Sequence, residues 1–264
     1  MLELASYEGR HRVRGTAIAT VAIGGFSLMY VVLFPTFAES LGGDIDALLA
    51  AYPEPMLKAF GIQTLASMEG FLASELYTFV WMLLLGLYFA YSAAGLIAGD
   101  VERERMDMLL SLPVSRTRVI LEKFASLAVP LVALNVVVPT VIYAGTVAVD
   151  YPVDPVDLFV LHAFSIPYLL VFAGVGLVAS VFFDRASLAQ RTSLGLLAGL
   201  FFAESLLTGT DYEVVGTVSP TRYLDPNAVL IDSEYALLDA AVLAVAAVVL
   251  VALAVALFRR KDIE

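Results

Sequence analysis

The chain has 264 residues, 60% of them hydrophobic, and a mean hydropathy of +0.88. A soluble domain of that length lacks the polar surface to enclose so much apolar side chain, which leaves an integral membrane protein. The net charge is −11, and there is no cysteine, so disulfides, thiol catalysis and thiolate metal sites are excluded.

Read from the N-terminus, residues 1–14 are polar and carry Arg10, Arg12 and Arg14. They suit either an amphipathic helix on the membrane surface or a basic stop before the first span. The first apolar run is long enough to cross, and no small-residue cleavage pattern follows it, so a cleavable signal peptide is not expected. A crossing helix needs about 20 mostly apolar residues. Runs of that kind place spans at about 15–38, 76–99, 124–149, 158–183, 192–210 and 240–258. The fifth is short and carries Glu204. Tyr77 and Trp81, near one end of the second, suit interface anchors. The expected fold is therefore an all-α integral membrane protein with six transmembrane helices in one domain, 1–264.

Thirteen of the fifteen lysines and arginines then fall on the side of the two termini, and only Lys58 and Arg222 on the other. The positive-inside rule puts both termini and the 99–123 loop in the cytoplasm. The opposite face collects fifteen acids against those two bases. A solvated surface adapted to high salt explains that excess more simply than attraction of cations does. Two outer loops, 35–75 and 208–239, are long for plain connections. Met56, Leu57, Ala59 and Phe60 have the spacing of a short amphipathic helix, and SPTRYLDP (219–226) marks a turn-rich segment. Such loops suit an outer lid or a re-entrant element.

Little catalytic chemistry is present. A phosphate-binding loop ends in Gly-Lys, but the residues before the three lysines are Leu57, Glu122 and Arg260. With only His11 and His162, no His-rich metal site and no Ser/His/Asp arrangement suggests itself. The chain is expected not to be an enzyme and to bind no cofactor, metal or nucleic acid. Glu204 is either a pathway residue, as intramembrane acids often are, or a solvated group near the outer interface. His162 fits a hydrogen-bonded histidine near the outer face. Gly195 and Gly199 form a G-x-x-x-G, a weak helix-pairing signal.

The 99–123 segment is the most distinctive. It carries five of the fifteen basic residues between two apolar runs. Met106, Leu109 and Leu110 form a stripe at helical spacing, with Glu102, Arg103, Glu104, Arg105 and Asp107 on the other positions. Pro113 ends this first helix, and Ser115 is placed to cap a second, which starts at Arg116 and runs into the third span. Such a loop is far longer than two neighbouring spans require.

The stretch AGLIAGDVERERMDMLLSLPVSRTRVILEKF (94–124) resembles the loop between the second and third spans of ABC-2 type transporter permeases. SPTRYLDP after the fifth span and the FRRKDIE ending agree with that family in the same order. The resemblance implies a permease subunit in the plasma membrane, working as a homo- or heterodimer. A separate cytoplasmic ABC ATPase would hold ATP and Mg and dock on a coupling helix matching Glu102, Arg103, Glu104, Arg105, Met106, Leu109 and Leu110, with Pro113 and Arg116 leading from it. Substrate and direction are not implied, beyond the family's export character. An alternative is a non-transporting anchor or sensor that recruits a cytoplasmic partner through the same loop. An ion-coupled carrier would call for more intramembrane ionisable groups than Glu204 and His162.

Overall fold

In hydrocarbon a backbone must satisfy its own hydrogen bonds, which for a chain this apolar means helices. The computed structural model describes residues 3–41, 49–52, 56–57, 61–111 and 113–261, and among these there are helices and turns but no strand. The expected outer helix around Met56, Leu57, Ala59 and Phe60 lies partly outside the described residues, since 58–60 are not among them.

The elements are α1 (Glu3–Leu41), α2 (Met68–Ala94), α3 (Ala98–Glu102), α4 (Arg105–Leu110), α5 (Arg116–Ala125), α6 (Ala128–Ala148), α7 (Pro155–Phe182), α8 (Ala186–Leu207), α9 (Pro226–Leu230) and α10 (Leu237–Arg260). Five helical units are long and apolar enough to cross a bilayer: α1, α2, the α5–α6 unit, α7 and α10. The expected fifth span is a helix too, α8, of 22 residues. It does not join the five, because Gln190, Arg191, Ser193 and Glu204 dilute its apolar run. The N-terminal segment is no separate surface helix. It continues into α1, whose 39 residues reach roughly 58 Å.

Contacts fix the helix directions. Tyr77 meets His162, Tyr168 reaches the Met82 carbonyl, and Ser180 accepts from the Ile97 N–H, so α2 and α7 run parallel. Asp157 meets Ser233, and Lys261 reaches the Val181 carbonyl, so α10 runs the same way. Gly9 lies against Val129 and Gly145 against Leu28, so α1 and α6 run parallel to each other. Phe71 packs on Tyr30, Phe34 and Phe37, which makes α2 antiparallel to α1. Gly95 beside Gln190, together with the short α7–α8 turn, makes α8 antiparallel to α2 and α7.

The α7 helix is the axis, packed most extensively on α10 and α2. At its seam with α2 the approach is backbone to backbone: a Cβ on Gly176 would fall 2.2 Å from the Ala90 carbonyl oxygen. Residues 72–85 of α2 form a π-helix. Tyr77 and Trp81 are fully buried there, so the expectation that they anchor at an interface is corrected. The Tyr77 hydroxyl lies 2.9 Å from His162 Nε2, and Trp81 sits edge-on to the same imidazole at 4.4 Å. The imidazole gives the Tyr77 hydroxyl the partner that an interface would otherwise supply, while the Trp81 indole N–H is buried without one among the described residues. Next to them the Ser165 hydroxyl donates to Asn135 Oδ1 at 2.8 Å.

Gly176→Ala is expected to force α2 and α7 apart and to destabilise the fold by about 1–3 kcal/mol, as overpacking does. Gly25→Ala, with nothing within 4 Å of the new Cβ, serves as the control and should be near neutral. Thermal unfolding in detergent, followed by the fluorescence of the single tryptophan, checks both.

Candidate functional site

One end of the bundle gathers the charged segments. Between α2 and α3 the helix breaks over 95–97, and the Ser180 hydroxyl of α7 accepts from the N–H groups of Ile97 and Ala98 at 2.9 and 3.0 Å. The break aims Asp100 inward, where it is buried. Lys123 Nζ, 3% exposed, pairs with Asp100 at 2.6 Å and with Glu8 of α1 at 2.7 Å. Arg105 adds a second cation on Asp100 at 2.7 Å. Two positive and two negative groups thus close the base of the α3–α5 hairpin with their charges balanced. Beside them Glu122 accepts from Arg118 at 2.6 Å and from the Ala5 N–H at 3.2 Å, and Arg12 donates to the Ser126 hydroxyl at 3.0 Å.

The residues expected at the coupling surface divide into two groups. Glu102 takes the N–H of Ala186 at 3.0 Å, so it caps α8, whose own N-cap residue Arg185 supplies no side-chain bond. Arg105 is held by Asp100. Met106 is 1% exposed and belongs to the core, with Leu109 half-buried against it. Arg116 donates to the carbonyls of Phe258 (3.2 Å) and Lys261, and its guanidinium lies over the Phe258 ring. Met106, Leu109 and Arg116 thus turn wholly or partly into the protein, while Glu102 and Arg105 are exposed but tied to it. Facing outward are Arg103 and Glu104, at the reversal between α3 and α4, then Asp107 and Met108, and beyond them Pro113. Glu104 takes a left-handed backbone with φ 55°, which makes the turn sharp. Met108 is 67% exposed, large for an apolar side chain. Leu112 and the side chain of Leu110 lie outside the described residues. Ser115 caps α5 as expected, accepting from the Arg118 N–H at 3.2 Å.

The end of α10 is tied into the same region. Lys261 donates to the Val181 carbonyl at 2.7 Å and pairs with Asp184 at 2.7 Å, so α10 is fastened to the α7–α8 turn. Sequence reasoning singled out neither this contact nor the Glu8–Lys123–Asp100 cluster, because the partners are far apart along the chain. The signal available was the position of Asp100 and Lys123 at the two borders of the charged loop.

At the opposite end, the 208–239 segment folds back on α8, α7 and the π-helix through two 3₁₀ turns, 213–218 and 220–223, and α9. Together they enclose a cavity of about 760 Å³ lined by Met82, Phe201, Glu204, Arg222 and Asn227 among others. Glu204 is mostly buried. One carboxylate oxygen lies 3.8 Å from Arg222, and the other is pressed against Gly216, where any Cβ would collide with it. Arg222 also binds the Glu213 carboxylate at 2.9 Å. Asn227 bridges this wall to the Gly61 carbonyl at 2.9 Å. Glu204 is thus a paired group in a cavity wall. Among the described residues no cluster of His, Asp and Glu has the makings of a metal site.

Among curated proteins none matches the chain with significance. A family model described as ABC-2 family transporter protein matches residues 22–263, from the apolar part of α1 to the end of the charged C-terminus. With helices fit to cross a bilayer several times and a match over nearly its whole length, the chain belongs to the ABC-2 family of transporter proteins and is a multi-pass membrane protein.

Proposed function

We propose that this chain is the permease subunit of an ABC exporter whose ATPase is a separate chain docked on the α3–α4 hairpin. One observation carries the reading. The hairpin offers an outward face of Arg103, Glu104, Asp107 and Met108, whose side chains make no hydrogen bond or ion pair among the described residues. Its inward side, continued through α5, is fastened to four helices: α3 to α7 through Ser180 and to α8 through Glu102, and α5 to α1 through Glu8 and to α10 through Arg116. Force applied to that face reaches all of them at once. The absence of Gly-Lys from the sequence supports an ATPase on another chain that supplies ATP and Mg.

The same reading makes α8 the sixth crossing. Its direction, opposite to α7 and α10, supports alternation of all six helices, with both termini on the hairpin side. The lysine and arginine distribution makes that side cytoplasmic. Two such permease chains in the plasma membrane would enclose the pathway. Nucleotide states that bind the hairpin differently would shift the helices between two arrangements. The cavity at Glu204 is the proposed far-side wall of that pathway.

Met108→Asp combined with Arg103→Glu is expected to weaken binding of the proposed partner ATPase at least roughly tenfold, about 1.4 kcal/mol. Co-purification that does not change would remove the hairpin as the docking site. Lys123→Met leaves the buried Asp100 with Arg105 as its remaining cation and the partly buried Glu8 with none, so it should cost about 1–3 kcal/mol of stability. It should also reduce permease-stimulated ATP turnover while leaving the outward face intact. Glu204→Gln should spare ATPase binding yet change transport in reconstituted vesicles; transport equal to wild type would take Glu204 off the pathway.

A further inference from the structure

An apolar groove of about 510 Å³ runs along the side of the bundle between α5 and α10. Thr117, Leu121 and Phe124 form one wall, spaced as one face of a helix, and Leu170 of α7 lies between the two helices. The other wall is α10, where Val248, Ala252 and Ala256 recur every four residues and are all exposed. The two alanines leave a furrow that larger side chains would fill. Arg259 stands at the mouth, exposed, with no hydrogen bond or ion pair among the described residues. Its neighbour across the groove, Arg116, is already committed to the Phe258 and Lys261 carbonyls, which pins α5 to α10 at that end.

Length and charge identify the occupant. From Ala247 to Arg259 the groove follows α10 for roughly 18 Å at 1.5 Å per residue. One leaflet of hydrocarbon is about 15 Å, half of a core of about 30 Å. The furrow therefore spans one leaflet, apolar throughout and ending in a cation at headgroup depth. A helix from a second copy would bury Arg259 in an apolar contact and need an acid to pair with it, whereas a lipid phosphate supplies that charge at the interface. We propose that the groove holds one chain of an anionic phospholipid whose phosphate is bound by Arg259. This depends only on the chain lying in a bilayer, and not on docking of an ATPase.

The purified full chain, washed in detergent and offered dioleoylphosphatidylglycerol or dioleoylphosphatidylcholine, tests this by native mass spectrometry, which counts retained lipids and copies of the chain. One phosphatidylglycerol per chain should be retained, with a preference over phosphatidylcholine of roughly tenfold, because the choline ammonium neutralises the headgroup charge that Arg259 would otherwise meet. Arg259→Gln should abolish the preference, and Ala252→Trp should abolish retention of both lipids. Leu253→Trp, exposed on α10 outside the groove, should leave both unchanged. Should Ala252→Trp fail to fold, Ala256→Phe fills the same furrow. Equal retention of the two lipids by wild type, or undiminished retention in the filled-groove variants, overturns the proposal. So does a filled-groove variant that breaks a dimer while keeping its lipid, which would assign the groove to a second copy.

Discussion

Lys123 carries its charge into a place where water does not follow, and the bundle's charged end is arranged to make that tolerable. Removing an ammonium from water costs several kcal/mol, recovered only when opposite charges meet it at close range. Asp100 and Glu8 do so at 2.6 and 2.7 Å. They come from α3 and α1, while Lys123 belongs to α5, so a single cation joins three segments. Moving α5 away would take from Asp100 and Glu8 the cation they share.

The other contacts at that end follow from this closure. With the hairpin's base fixed, Glu102 is positioned to cap α8, and Arg116 reaches the last carbonyls of α10. Ser180 satisfies the two N–H groups freed by the break after α2. Each bond ties the 98–116 stretch to a different helix of the bundle. The outward face keeps the charges and the exposed methionine that the inward face does not need. Such a division suits a permease that receives work at one surface and delivers it to the whole bundle.

The interior is closely packed at its central seam. At Gly176 and Ala90 the α2 and α7 backbones touch with no side chain between them. Close-packed helices move as bodies rather than deform. On the proposed coupling, a displacement of α2 at the hairpin end would travel toward the far end, where α9 and the 3₁₀ turns lie over Glu204, Arg222 and Glu213. The polar pair Tyr77–His162 lies between these ends and joins α2 to α7 a second time.

The apolar runs determined the membrane class, the helices and nearly all their positions, because hydrocarbon admits little else to an open chain. Ser115 determined where α5 begins, since a serine's cap acts on neighbouring residues alone. The single helix expected to run up to Pro113 is instead split at 103–104 by the left-handed Glu104, and its second piece, α4, stops at Leu110. The weakness of the 192–210 segment was legible too, in Glu204 and its polar neighbours. Three-dimensional packing decided the rest. The stripe of Met106 and Leu109 reads equally well as a partner's docking face or as core, and only the fold of α4 against the bundle turned Met106 inward. Tyr77 and Trp81 read as interface anchors until a π-helix aimed them at His162. Glu102, Arg105 and Arg116 read as surface charges until their partners, Ala186, Asp100 and the end of α10, came within reach. Periodicity and turn chemistry act over a few residues and are written in order along the chain. The partner of a buried charge, as Glu8 is for Lys123, is chosen by folding across more than a hundred residues, which no local pattern records.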